Sequence, residues 1–396
     1  MTDKDKIIKE GMMKLWMDTF HDSDEYIRLV FDVYFSPEMV EYEVKDGELA
    51  AAMLAVPYEF GSGDNRIRGA YLCGLATADK FRGMGVMSRL IEKIAEKLKE
   101  RGYAFLFLIP ADEGLQLYYR DRRFVDAFYR EKRRYTSVHD FILEYEHVLE
   151  NEPERLRVVK ERYCSRINCF KTSGCEPMNC CDYESLVDYM SLNDKSGMGL
   201  SIIHTREDLM AVIDECILSG GAIYYTKDGD DKITGVALVY ICDDNITVYK
   251  LESENNCTRV RLLDSIKNDY PERGVEIYEY PQSYTKGIRP DVYGMARILN
   301  LHEILKFQAT CRRDLKYSIL VKNGENGEFV RYIAQNGTVS EKIERNVIDG
   351  SDMPRSEFMT EKEVAEILFR RPDSEPLLEQ VIGLPALGGK ISMMLD

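Results

Sequence analysis

Residues 80–85 read Lys80-Phe81-Arg82-Gly83-Met84-Gly85, and apolar residues recur at helical spacing directly after them, at Met87, Leu90, Ile91, Ile94, Ala95 and Leu98. A glycine turn that opens a helix lets several backbone N–H groups converge on one anion, because no side chain blocks the approach. The positive end of the helix adds roughly 0.3–1 kcal/mol for a nearby negative charge. Lys80 and Arg82 can add cationic side chains from either side. Phosphate binding is the chemistry this spacing predicts, and the alternative is a tight turn that needs glycine for its geometry alone. A dinucleotide-binding turn would carry a third glycine where Ser88 stands, and a nucleoside-triphosphatase loop would continue Gly-Lys-Ser or Gly-Lys-Thr. Neither pattern is present.

The elements around this turn follow from periodicity. Ile8, Met12, Leu15, Trp16 and Phe20, then Tyr26, Leu29, Val30, Val33 and Tyr34, predict two helices joined by the acidic break His21-Asp22-Ser23-Asp24. Strands are expected at Val40 to Lys45 and Leu49 to Phe60 across the Asp46-Gly47 turn, and again at Ala70 to Thr77. The helix after the glycines should end at Gly102, and the apolar run Tyr103 to Pro110 reads as a buried strand. Strand, helix, strand at this spacing is a right-handed crossover, so its two strands should be parallel neighbours.

The theme returns without the glycines. Helices are expected at Tyr183 to Met190, Arg206 to Leu218 and Thr258 to Ile266, with strands at Ala222 to Thr226, Val236 to Ile241 and Ile246 to Leu251. Glu252-Ser-Glu-Asn-Asn256 stands where the first half has its turn, which predicts a degenerate duplicate unable to hold a diphosphate. Tyr280 to Pro290 reads as a linker. A third unit is expected beyond it, with a helix at Leu301 to Phe307, strands at Leu315 to Val321, Glu328 to Ala334 and Gly337 to Ile343, and a last helix capped by Thr360 and Glu363. The expected architecture is α/β (α+β) in three units, residues 1–140, 141–285 and 286–396, the first built on a mixed sheet. The apolar run Ile391 to Leu395 before Asp396 suggests a docked end.

The chain has 396 residues and a formal net charge of -16. That acidity argues against nucleic acid as a partner and favours a small cationic molecule. No apolar stretch approaches the length of a membrane span and the first residues carry no signal-peptide core, so a cytoplasmic protein is expected. Ten cysteines spread through such a chain are expected to be reduced. The cluster Cys164, Cys169, Cys175, Cys180 and Cys181 lacks zinc-site spacing, and the five histidines form no local metal pattern, so no metal is expected.

Lys80-Phe81-Arg82-Gly83-Met84-Gly85 resembles the cofactor motif of the GNAT acetyltransferase superfamily, with Lys80 in place of its usual Gln or Arg. The resemblance implies acetyl-coenzyme A as co-substrate. The backbone from Phe81 through Arg82, Gly83, Met84 and Gly85 to Val86 would hold its diphosphate, and the strand end Cys73, Gly74 and Leu75 its pantetheine. The run Pro110 to Phe124 resembles a second motif of that superfamily. Asp112 takes the position of its loop Asn, Arg123 that of its Gly, and Tyr119 that of the tyrosine that protonates the departing thiolate. A phenol with a reference pKa of about 10 suits the role, since a thiol sits near about 8.5. The alternative is a core tyrosine.

The whole length is similar to the enhanced intracellular survival (Eis) family, through Leu15-Trp16 and Phe20, the Asp46-Gly47 hairpin before Ala55-Val-Pro57-Tyr58, and Met295-Ala-Arg297. This resemblance implies a GNAT domain, a degenerate GNAT-like domain and a sterol-carrier-like domain. It also implies a homo-hexamer, an aminoglycoside-like or polyamine-like acceptor facing Asp22 and Trp16, and the Asp396 carboxylate as base. Two rival functions remain open: a non-catalytic acyl-coenzyme A or lipid-binding protein, and an acetyltransferase of protein amino groups.

Overall fold

The computed structural model describes residues 2–135, 168–173, 180–195, 199–242, 244–280, 290–323, 328–344, 358–370, 384–387 and 390–391. Helix α1 (Asp3–Phe20) starts in a Thr2–Asp5 capping box and stops at His21, whose φ of +62° cannot continue a helix. Helix α2 (Asp24–Tyr34) is capped by Ser23 and buries Ile27, Val30, Phe31 and Tyr34. Strands β1 (Val40–Lys45), β2 (Glu48–Ser62) and β3 (Asn65–Thr77) form an antiparallel meander. Its first turn has positive φ at both Asp46 and Gly47, as the hairpin dipeptide leads one to expect.

Helix α3 (Val86–Glu100) buries the predicted stripe and ends before Gly102, φ +77°. Strand β4 (Phe105–Leu108) then pairs with β3 in parallel, Gly69 opposite Phe105, which is the predicted crossover. Helix α4 (Glu113–Arg120) and strand β5 (Val125–Tyr135) follow.

The second half comprises β6 (Asn168–Ser173), α5 (Cys180–Lys195), β7 (Ser201–Ile203), α6 (Arg206–Leu218), β8 (Ala222–Lys227), β9 (Ile233–Ile241), β10 (Asn245–Ser253), α7 (Asn256–Asp269) and β11 (Gly274–Glu279). Strands β10 and β11 pair in parallel around α7, so the crossover recurs. Strand β12 (Asp291–Ile298) comes next. After it α8 (Leu301–Cys311), β13 (Tyr317–Lys322), β14 (Phe329–Gln335), β15 (Thr338–Glu344), β16 (Met359–Thr360) and α9 (Glu361–Leu368) build around a four-stranded sheet in the order β15-β14-β13-β16. The Thr360–Glu363 capping box forms as expected.

One mixed sheet carries the rest, in the order β1-β2-β3-β4-β12-β5-β11-β10-β9-β8-β6, with β7 on β2. Strand β12, read from the sequence as opening the third unit, is laid between β4 and β5. Residues alternate between the sheet's faces. Leu54, Val56, Tyr225 and Leu238 point into a core shared with α1, α2, α5 and α6. Met53 and Ala55 face α3, while Tyr224 and Val239 face α7. Among the described residues no helix is long and apolar enough to cross a membrane, and no group of three His, Cys, Asp or Glu could hold a metal ion.

Candidate active site

The glycine turn reaches α3 in a conformation that only glycine adopts cheaply. Gly83 and Gly85 have φ of +75° and +69°, a region that costs an L side chain roughly 1–2 kcal/mol. A Cβ on Gly83 would meet nothing within 4 Å, so packing does not require the glycine and the face of the turn is bare. Gly85 is the N-cap, no side chain caps the helix, and its first backbone bond runs from Arg89 N–H to Gly85 C=O at 3.2 Å. The N–H groups of Val86, Met87 and Ser88 therefore have no acceptor within the helix.

A cleft of about 390 Å³ lies against this helix end, and Leu75, Arg82, Gly83, Tyr119 and Arg122 are among the residues lining it. Arg82 is steadied by Thr77 C=O, which accepts from Nε at 3.3 Å, and by Asp79 at 3.1 Å. Sequence reasoning missed Arg122. Its Nε and Nη2 donate to Ser88 Oγ at 2.9 and 2.7 Å, and its guanidinium lies 3.3 Å from the centre of the Tyr118 ring. The only signal in the sequence was its place three residues after Tyr119 in a basic run. Two guanidiniums and the unpaired amides of a helix N-terminus make this end of the cleft suited to an anion.

The opposite wall is set by a β-bulge. The β2–β3 register passes from Ala52 opposite Ala76 to Leu54 opposite Cys73, so Gly74 and Leu75 together face Met53. Gly74 has φ +58°, and the irregularity turns Leu75 toward the cleft while leaving backbone groups outside the ladder. Trp16 lies directly on Gly74, and its Nε1 donates to Asp22 Oδ2 at 2.7 Å.

Tyr119 is 7% exposed and packs edge-on against Tyr118 and Phe124, with ring centres 5.2 and 5.7 Å away. Burial, with Tyr118 adding to it and Arg122 opposing, pushes its phenol well above the ordinary value, so it stays protonated through the neutral range.

Of the residues the sequence singled out, the structure brings Leu75, Phe81, Arg82, Gly83, Gly85, Val86 and Tyr119 to this one cleft. Met84 is exposed beside it. Lys80 pairs with Glu48 and does not line the cleft. Asp112 caps α4 by accepting from Leu115 N–H at 2.7 Å. Cys73 is buried, which pushes its thiol up. Asp396 lies outside the described residues.

His204, which matches no metal pattern in the sequence, is buried. Its Nδ1 lies 2.6 Å from Asp194 Oδ2, and Lys250 reaches Asp194 Oδ1 at 3.5 Å. Burial opposes ionisation of Asp194, but Lys250 and then His204 outweigh it and hold the carboxyl below its usual range.

The acetyltransferase (GNAT) domain family matches residues 6–121. No curated protein matches the chain in sequence. Among solved structures, a GCN5-related N-acetyltransferase from Anabaena variabilis is similar at 12% identity and TM-score 0.64, over 97% of this chain and 95% of that one. A GCN5-related N-acetyltransferase from Kribbella flavida has 14% identity and TM-score 0.59, over 98% and 96%. Eis1 from Mycobacterium abscessus has 10% identity and TM-score 0.60, over 96% and 90%. At these identities the likeness is one of fold. The bare glycine turn, the bulged strand and the Tyr119 wall of the cleft thus lie within the stretch that the acetyltransferase (GNAT) domain family matches, in a chain that shares its fold along nearly its whole length with these proteins.

Proposed function

We propose that the chain is an acetyl-coenzyme A-dependent N-acetyltransferase acting on an amine of a small cationic acceptor, aminoglycoside-like or polyamine-like. The observation that carries the reading is that the uncapped start of α3, Leu75 of the β-bulge and Tyr119 all line one cleft. The residues present suit the co-substrate, since the glycines leave the turn bare and two guanidiniums stand beside it.

Acetyl-coenzyme A supplies an activated thioester and a diphosphate. The amides from Gly83 to Ser88 hold the diphosphate, helped by Arg82 and Arg122, and the bulged strand orients the pantetheine by its backbone. The acceptor nitrogen forms the new C–N bond as the C–S bond breaks, and Tyr119 gives its proton to the sulfur. By resemblance, Asp22 and Trp16 face the acceptor and the Asp396 carboxylate takes the amine proton. The same resemblance assigns the chain to an Eis-like family and makes it a homo-hexamer with a sterol-carrier-like C-terminal unit.

Thiol release measured across a panel of amines tests the reading. Gly83→Glu should abolish turnover and Cys181→Ser should retain it. Acetyl-coenzyme A binding by calorimetry without thiol release for any amine would replace the enzyme with a binding protein.

A further inference from the structure

A second cavity, of about 280 Å³, lies where the two halves of the large sheet meet. It is lined from β5 and β12 on one side and from β9, β10 and β11 on the other, and it shares no lining residue with the acetyltransferase cleft. Its volume is close to the lower end of small-molecule sites, roughly 300–1,000 Å³. Six tyrosines line it, among them Tyr249, Tyr278 and Tyr293. The walls therefore suit a flat, apolar ring.

The charges around it do not balance. Lys250 reaches Glu252 at 3.2 Å and Asp194 at 3.5 Å, and Lys390 stands 4.0 Å from the same Glu252, so two ammoniums meet two carboxylates. Arg259 pairs with Glu279. Arg130 is left over. Its guanidinium carbon lies 4.1 Å from the centre of the Tyr278 ring and 4.5 Å from that of Tyr293, and it makes no ion pair with any described residue. Asp291, opposite it in the strand ladder, is exposed and lines a different cleft.

A guanidinium fixed against two rings has lost little further freedom when it binds, and its planar fork matches a carboxylate. We propose that this cavity binds a small carboxylate carrying one aromatic ring, with Arg130 on the carboxylate and the tyrosines on the ring. The inference does not rest on acetyl transfer.

Calorimetry on the full chain with phenylacetate, benzyl alcohol, benzylamine and acetate tests it. Phenylacetate should bind at least about ten-fold more tightly than each of the other three, the factor expected for losing either a charge-assisted hydrogen bond or the ring's burial. Arg130→Gln should weaken phenylacetate by a similar factor and leave acetyl-coenzyme A binding at the other cleft unchanged, which also reports that the variant is folded. Three results would overturn the proposal: no heat with phenylacetate at millimolar concentration, benzylamine binding as well as phenylacetate, or full phenylacetate affinity in a folded Arg130→Gln. The comparison of the four probes on the unmodified protein keeps the test decisive even if the variant fails to fold.

Discussion

The indole of Trp16 rests on the backbone of Gly74, so closely that a Cβ built there would lie 2.1 Å from the ring. Gly74 also has φ +58°, which makes the site intolerant for two separable reasons. Gly74→Ala should destabilise by about 2–4 kcal/mol, combining overpacking with backbone strain. Gly63→Ala isolates the second reason, because Gly63 has the same φ and nothing within 4 Å of its added Cβ. It should cost about 1–2 kcal/mol. Denaturant midpoints of the two variants measure the difference, and equal losses would show that the indole yields freely.

Under the proposed function, Tyr119→Phe should lower kcat about 10²- to 10⁴-fold with little change in coenzyme affinity. Since the phenol is held above its ordinary value, the unmodified protein should show no alkaline loss of kcat from this group below about pH 10. A pH–rate profile checks both statements.

Arg122→Ala removes one of the two guanidiniums lining the cleft and frees Ser88 from it. Under the proposed function, coenzyme A should bind roughly ten-fold more weakly. The gap between variant and parent should narrow as salt is raised, because the lost contact is ionic and only half-buried. Calorimetry at two ionic strengths decides.

Arg297, buried in β12, clamps α3 by donating two hydrogen bonds to Glu92, each 2.7 Å. Arg297 is the largest influence on the Glu92 carboxyl and holds it below its usual range. A depressed carboxylate stabilises fully above its unfolded value of about 4.3 and loses that contribution as the pH falls through the lower folded value. Glu92→Gln should therefore cost at least about 1 kcal/mol at pH 7, more to the extent that buried Arg297 is left unpaired. The difference from the parent should disappear in acid. Urea unfolding at a series of pH values would show it.

Arg123 turns the chain after α4 with φ +68°. Glycine adopts that conformation without the Cβ penalty, although its own flexibility when unfolded offsets part of the gain. Arg123→Gly should raise stability by about 0.5–1 kcal/mol, read as a higher melting temperature.

Local demands were the readable ones. Gly83, Gly85 and Gly102 announce themselves because each takes a positive φ at a helix boundary. The stripe on α3 was equally plain, since every member of it faces one core. Strand β12 was opaque. Its middle, Tyr293 to Arg297, is buried on both faces and so lacks alternation, and Gly294 interrupts it because Ile391 and Phe128 approach where a side chain would be. Nothing within Asp291–Ile298 says that its partners lie near residues 106 and 128. Arg122 was missed for the same reason: its tie to Ser88 spans 34 positions along the chain. The tyrosines of the junction cavity come from both halves, so no single stretch displays them.

The placement of β12 has a consequence for how the protein is made. Translation delivers β4 and β5 early, yet the strand that joins them leaves the ribosome only after residue 298 has been added. Until then two bare strand edges face each other across an unfilled gap, a state prone to wrong pairing and in need of chaperone shelter. A gene fragment cut at residue 135 would inherit that gap permanently. Expressed alone it should aggregate, and supplying residues 290–300 as a separate peptide should rescue it.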